Sequence, residues 1–244
     1  MIYPNTVIAH TVVVFLCLAS LVYLQYRVKR KEFRTFRPYY NWFLFFLLYN
    51  ISLAMPLFIF NSLNLASGVF YSLGLLFLAI AMWQAFEVGL NLVVKNEFWH
   101  TLLSVLYLIG VSVAVTLHFI FPEVPQGGSD GRWVLWYSNQ SISLFYVLFA
   151  FIAGWTFVAG CIKGFLIHRS RFLRFRILLF LTAGFILPLS ALYYFGAETY
   201  THIYVAQFLA ILSMALFAIV HTLFEPEKTF SDRYRLRKLK VKEA

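Results

Sequence analysis

Three polar side chains interrupt one of the longest hydrophobic stretches of the sequence. Gln84, Glu87 and Asn91 stand at positions i, i+3 and i+7, a spacing that places them on one face of a helix. A carboxylate inside a bilayer is costly unless it is neutral, paired or turned to a cavity, so Glu87 is a candidate functional residue. This polar seam suits either a path for protons and ions or hydrogen bonds across a helix bundle. Partners for such bonds come from other hydrophobic stretches: Asn50, Gln207 and His221.

A second group of aromatic and polar residues gathers near one end of the last two hydrophobic stretches and at the start of the fifth. Its members are Tyr193, Tyr194, Glu198, Tyr200, His202, Tyr204, Gln207, Asn139 and Gln140. Aromatic walls with a few polar groups suit the binding of a small amphipathic ligand. The same composition also fits a belt of aromatic residues at a membrane interface, and both interpretations stay open.

The six histidines raise the question of a prosthetic group or a metal. A bis-histidine haem needs imidazoles on facing helices, and zinc needs three or four converging ligands. No two histidines are four residues apart, so no helix presents a pair. We therefore predict no catalytic residue, no metal and no cofactor, with haem as an alternative and an outer metal site at His10, His202 and Glu198 as another. Cys17 and Cys161 lie in apolar runs and are interpreted as packing residues.

The elements that carry these residues are hydrophobic enough to cross a membrane. Of the 244 residues, 61% are hydrophobic and 12% charged, against roughly 25% charged in a soluble domain. The mean hydropathy is +0.77. Seven apolar stretches approach or exceed the ~20 residues that span a bilayer. They are residues 7–26, 40–60, 68–94, 99–121, 138–167, 175–195 and 202–224. The sequence therefore predicts an all-α, polytopic membrane protein with a seven-helix transmembrane bundle at 1–224 and a basic tail at 225–244.

The basic residues indicate how the chain is oriented. Every Lys and Arg except Arg132 falls in the first, third or fifth connection, at its edges, or in the tail. By the positive-inside rule, the N-terminus lies outside and the C-terminus in the cytoplasm. The predicted location is the cell inner (plasma) membrane. We therefore attribute the net charge of +10 to basic residues that contact membrane lipid and set the orientation of the chain. We predict no nucleic-acid partner.

The predicted outer side has one long connection, PEVPQGGSDGRW, between the fourth and fifth stretches. Its two prolines and three glycines predict turns. Trp133, Trp136 and Tyr137 follow and are expected at the membrane interface. Pro56 and Pro188 lie inside hydrophobic stretches, where neighbouring groups can satisfy the freed carbonyl. The patterns HExxH, GxSxG and the Walker glycine loop are absent, which favours a protein that is not an enzyme.

This layout resembles the seven-helix sensor regions that precede many bacterial histidine kinases and cyclase-type outputs. The resemblance covers residues 7–224. It rests on the basic first connection, the short outer connections and the arginine-rich entry to the sixth helix before Pro188, RSRFLRFRILLFLTAGFILPL. It implies a protein that binds a small ligand, or senses the membrane, and passes the change to a partner. Because the sequence contains no output domain, that partner is expected to be a separate protein.

We therefore expect an integral membrane sensor or signalling-accessory protein that binds a small ligand in an outer aromatic pocket. Its basic inner loops and tail would contact a cytoplasmic signalling partner, and a homodimer is a further possible assembly. Two alternatives stay open: a small-solute or proton-coupled transporter that uses Glu87, and a membrane protein that binds b-type haem.

Overall fold

The computed structural model describes residues 3–28, 37–60, 62–121, 124–128, 131–136, 140–167 and 170–222. These contain seven helices and one short hairpin. The helices are α1 (Pro4–Val28), α2 (Arg37–Ile59), α3 (Leu65–Val93), α4 (Glu97–Ile120), α5 (Gln140–Ile167), α6 (Arg171–Phe195) and α7 (Tyr200–Thr222). All seven are long and apolar enough to cross a membrane, so the predicted all-α, multi-pass class is confirmed. The predicted tail at 225–244 lies outside the described residues.

Polar residues cap the starts of α3 and α4. Ahead of α3, the Asn64 side chain accepts a hydrogen bond from the Ser67 backbone amide, and the Ser67 hydroxyl accepts one from the Asn64 backbone amide. Ahead of α4, the Asn96 side chain accepts from two amides of the first turn. These bonds satisfy amides that otherwise have no partner at a helix start.

Six helices form a closed ring. Going round it, α1 packs on α2, α2 on α3, α3 on α5, α5 on α6, α6 on α7, and α7 returns to α1. The remaining helix, α4, lies outside the ring against α3 and α5. We call the end at which α1 begins the upper end, and the end at which α7 finishes the lower end. Since successive helices alternate in direction, the connection between α4 and α5 lies at the upper end.

The outward faces of the helices are apolar. Large side chains such as Phe15, Val22, Leu144, Leu166 and Phe208 are more than half exposed on them. A continuous apolar surface of this kind is stable against lipid and would aggregate in water. Burial and composition thus agree that the bundle is a multi-pass membrane protein.

A small cap closes the upper end. It comprises residues 124–128 and 131–136, with β1 (Gln126–Gly127) antiparallel to β2 (Val134–Leu135). The Tyr200 hydroxyl donates to the Gly127 carbonyl at 3.0 Å, and the Val134 amide donates to the Thr6 hydroxyl at 2.9 Å. The cap therefore joins the starts of α1 and α7.

The cap also corrects one aromatic prediction. The Trp136 ring stacks on Tyr71 of α3, whose hydroxyl donates to the Trp136 carbonyl at 3.2 Å. Only 3% of Trp136 is exposed, so its expected position at the membrane interface is wrong. Trp133 is partly buried, with its ring edge-on to Tyr204, and Tyr137 lies outside the described residues.

Glycine lets two ring helices approach closely. A Cβ on Gly89 of α3 would lie 2.7 Å from both the Phe157 nitrogen and the Thr156 carbonyl carbon of α5. Backbone atoms cannot move aside as a flexible side chain can, so no larger residue fits this crossing. At this crossing the Phe157 ring of α5 lies against Phe217 of α7, with centroids 6.1 Å apart.

Candidate functional site

The ring surrounds a partly open cavity of about 100 Å³. By the same measure a water needs roughly 10–15 Å³, so the cavity has room for several waters or a small organic molecule. All six ring helices contribute to its wall, and no described residue of α4 does. One wall residue from each ring helix, in chain order, is His10, Asn50, Met82, Phe157, Tyr194 and Gln207. No Asp, Glu, Lys or Arg is among the described lining residues, so the cavity is uncharged.

Three buried polar side chains from separate helices meet at the upper part of the cavity. Asn50 donates through Nδ2 to the Phe46 carbonyl at 2.8 Å, which leaves its Oδ1 to accept. His10 Nδ1 lies 2.8 Å from that Oδ1 and must therefore carry the proton. His10 Nε2 is then the acceptor, and Gln207 Nε2 donates to it at 3.3 Å. We call His10, Asn50 and Gln207 the polar trio; it ties α1, α2 and α7 together.

An aromatic cluster continues from the cavity to the lower end. It consists of Tyr39, Trp42, Phe43, Phe180, Phe217 and His221. Trp42 and Phe217 line the cavity, with ring centroids 4.8 Å apart. His221 lies against Phe43 and Phe180 at centroid distances of 5.4 and 5.6 Å. Neither His221 ring nitrogen has a hydrogen-bond partner among the described residues. His221 thus belongs to this cluster and not to a polar seam.

The structure divides the residues of the predicted outer pocket. Tyr194 and Gln207 are buried and line the cavity. Tyr193 and Tyr204 turn outward, with 40% and 57% exposed. Tyr200 contacts the cap, because its hydroxyl donates a hydrogen bond to the Gly127 carbonyl.

The remaining members lie away from the cavity wall. Glu198 is exposed, and its backbone amide donates to His202 Nδ1 at 3.3 Å. Asn139 lies outside the described residues, and Gln140 is described only as the first residue of α5. The described residues contain no group of three His, Cys, Asp or Glu side chains that could hold a metal. Both ring nitrogens of His10 are already engaged by the polar trio.

The polar residues of α3 point to two different neighbours. Gln84 accepts from Asn41 of α2 at 3.4 Å, whereas Asn91 bonds the carbonyl of Glu87 in its own helix at 2.8 Å. Glu87 accepts from the Ser104 hydroxyl of α4 and lies 3.5 Å from His100 Nε2. Each residue of a helix is rotated by about 100° from the one before it, so Gln84, Glu87 and Asn91 together span an arc of roughly 60° on the surface of α3. Since α3 lies between α2 and α4, that arc reaches both, and Glu87 faces α4 instead of the cavity.

Sequence reasoning placed Asn50 in the seam with Glu87, but the structure pairs it with His10. The sequence signal for this pair is a polar residue inside an apolar stretch, which identifies each residue but not its partner. The cavity residues Tyr49, Met82 and Ser190 carry no such signal, because nothing in their local pattern separates them from ordinary packing residues.

No protein-family model, curated protein or solved structure matches the chain.

Proposed function

We propose that this protein is a membrane-embedded sensor that binds a small, uncharged molecule in the central cavity of its six-helix ring. The observation that carries the proposal is an uncharged cavity bounded by all six ring helices with the polar trio at one end. A largely apolar pocket with a few converging polar groups is the usual form of a small-molecule site. The candidate pocket therefore lies deeper than the upper surface and retains Tyr194 and Gln207 from the group named by sequence.

The orientation completes the proposal. The lower end carries Arg171, Arg174, Lys163 and Lys95 at the helix ends, and the sequence around the described residues adds further basic groups. Under the positive-inside rule this end faces the cytoplasm of an inner (plasma) membrane. The cap then faces outside, and the basic loops and tail are available to a cytoplasmic partner.

The aromatic cluster supplies a physical route between the two ends. A ligand that changes the spacing of α2 and α7 at the polar trio also moves Trp42 and Phe217, which are packed ring against ring. The same rings contact Tyr39 and Phe180, and through them His221 at the lower end of α7. Close-packed aromatic groups transmit a displacement because they leave little free volume.

Native mass spectrometry of the protein in nanodiscs tests the proposal. We expect a small molecule to co-purify with the wild type and to be lost from Ala206→Leu, because Ala206 lines the cavity and is 1% exposed. The matched control is Ala215→Leu, because Ala215 lies on the opposite face of the same helix and is not among the described residues that line the cavity. Equal occupancy of the wild type and both variants, or no bound molecule in any of them, would contradict a ligand site in the cavity.

A further inference from the structure

The polar side chains of the cavity wall are directed at one another and contribute little surface to the cavity. Both ring nitrogens of His10 are engaged, one by Asn50 Oδ1 and the other by Gln207 Nε2. The hydroxyls of Tyr49 and Tyr194 interact with each other. The surface that remains around the cavity is almost entirely apolar.

Small side chains on four of the ring helices leave the space in the middle. Ala81 of α3, Ala153 of α5, Gly184 of α6 and Ala206 of α7 all line the cavity. Larger apolar groups such as Phe157 surround them. The cavity is therefore a gap between apolar side chains and not a polar cleft.

The chemistry of this wall decides which occupant is stable. A buried water needs about two to four hydrogen-bond partners, and most polar groups of the wall are already paired. An ion would lose its hydration without an opposite charge, because no charged side chain lines the cavity among the described residues. An empty cavity deprives the wall atoms of the dispersion contacts that a packed interior provides. An apolar molecule restores those contacts without losing any hydrogen bond.

The volume limits the size of that molecule. A water-sized group takes up roughly 10–15 Å³ by this measure, so a cavity of about 100 Å³ holds about seven to ten of them. Toluene and similar small hydrocarbons are of this size. A lipid acyl chain is larger, because it extends across about half of the ~30 Å hydrocarbon core.

From the apolar wall and the volume we infer that the ligand of the central cavity is a small hydrocarbon-like molecule, about the size of toluene, held without hydrogen bonds. Such molecules concentrate in the bilayer because they leave water, so the membrane around the ring supplies them. This inference rests on the proposed function and specifies its ligand class.

Fluorine NMR of the full chain in nanodiscs tests the inference with 4-fluorotoluene and 4-fluorophenol, which differ only in a methyl or a hydroxyl group. The resonance of lipid-dissolved probe measures its concentration in the bilayer, so the two are compared at equal concentration there. Probe in the cavity lies near the rings of Trp42 and Phe217, whose ring currents displace its resonance. We expect a saturable, displaced resonance with 4-fluorotoluene. Binding of 4-fluorophenol should be weaker by about tenfold or more, because its hydroxyl would be buried without a partner.

Two variants fill the cavity from different helices. Ala206→Leu and Ala153→Leu each enlarge a side chain of the wall and should abolish the displaced resonance of 4-fluorotoluene. Ala215→Leu is the matched control, since Ala215 is not among the described lining residues, and it should bind the probe as the wild type does. Circular dichroism checks that each variant keeps its helices, and the second filling variant keeps the test decisive if the first fails to fold.

The outcomes separate this inference from the function on which it rests. Equal or tighter binding of 4-fluorophenol, lost in the filling variants, would overturn the apolar ligand class and leave the cavity as a ligand site. If neither probe gives a displaced resonance in the wild type, the inference is overturned, and native mass spectrometry decides separately whether the cavity binds another molecule. A complete lipid that co-purifies with the wild type and is lost from Ala206→Leu would overturn the inferred size. A resonance that persists in both filling variants would overturn the location in the ring.

Discussion

At the scale of single residues, the decisive chemistry is the direction of three hydrogen bonds. The NH₂ group of Asn50 donates to the Phe46 carbonyl, so the amide oxygen is the atom that faces His10 and accepts from it. That constraint fixes the protonated nitrogen of His10 and leaves Gln207 as a donor to the other. The trio holds three helices in one arrangement at the upper part of the cavity.

Removing the central acceptor should destabilise the bundle. In Asn50→Ala the buried His10 Nδ1–H loses its partner, so we expect the free energy of unfolding to fall by about 1–2 kcal/mol. Reversible unfolding in mixed micelles measures this change. Asn91→Ala is the control, because Asn91 is exposed and bonds only its own helix. Equal losses in the two variants would show that the trio contributes nothing specific.

The residue scale is also where sequence reasoning reaches its limit. Glu87 attracts attention because a carboxylate in an apolar stretch is rare, yet it pairs locally with Ser104 of the next helix. The contact that builds the site joins His10 to Gln207, which are 197 positions apart. No local pattern encodes such a partner, because it depends on which helices become neighbours in the closed ring.

At the scale of elements, hydrophobic length was sufficient to locate the helices. The predicted stretch 99–121 corresponds to α4 (Glu97–Ile120), and 202–224 to α7 (Tyr200–Thr222). The cap hairpin was not predicted, because strands of two residues have no periodicity to detect. Its pairing depends on hydrogen bonds to the starts of α1 and α7, which are distant in sequence.

The crossing of α3 and α5 gives a prediction at this scale. In Gly89→Ala the added methyl group would overlap the backbone of α5, so we expect a loss of about 1–3 kcal/mol in unfolding free energy. Gly164→Ala is the matched control, because its Cβ would lie 3.7 Å from Ile177 Cδ1, an ordinary contact. That variant should be neutral or more stable by up to about 1 kcal/mol, since alanine favours a helix. Unfolding in mixed micelles compares them, and a stable Gly89→Ala would contradict the close crossing.

At the scale of the whole molecule, seven helices able to cross a membrane and the placement of the basic residues predict one orientation, with the cap outside and the lower end in the cytoplasm. Val124, in the cap, and Lys95, in the connection between α3 and α4, are both exposed and lie at opposite ends of the bundle. We expect a membrane-impermeant maleimide to label Val124→Cys but not Lys95→Cys in intact cells. Cys17 and Cys161 are buried and give a low background. Labelling of Lys95→Cys alone would reverse the orientation and remove the proposed cytoplasmic partner surface.

The central claim is that the contents of the cavity influence the lower end of the bundle. Hydrogen–deuterium exchange of the wild type, Ala206→Leu and the control Ala215→Leu in nanodiscs tests it most directly. Ala206→Leu exchanges the bound molecule for a fixed side chain, so exchange in the peptides around Tyr39 and around His221 should differ from that of the wild type, because the aromatic cluster joins both residues to the cavity wall. The control should leave that exchange unchanged. If Ala206→Leu altered only peptides around the polar trio and left the lower end as in the control, the cavity would be uncoupled from the cytoplasmic face and the sensor account would be contradicted.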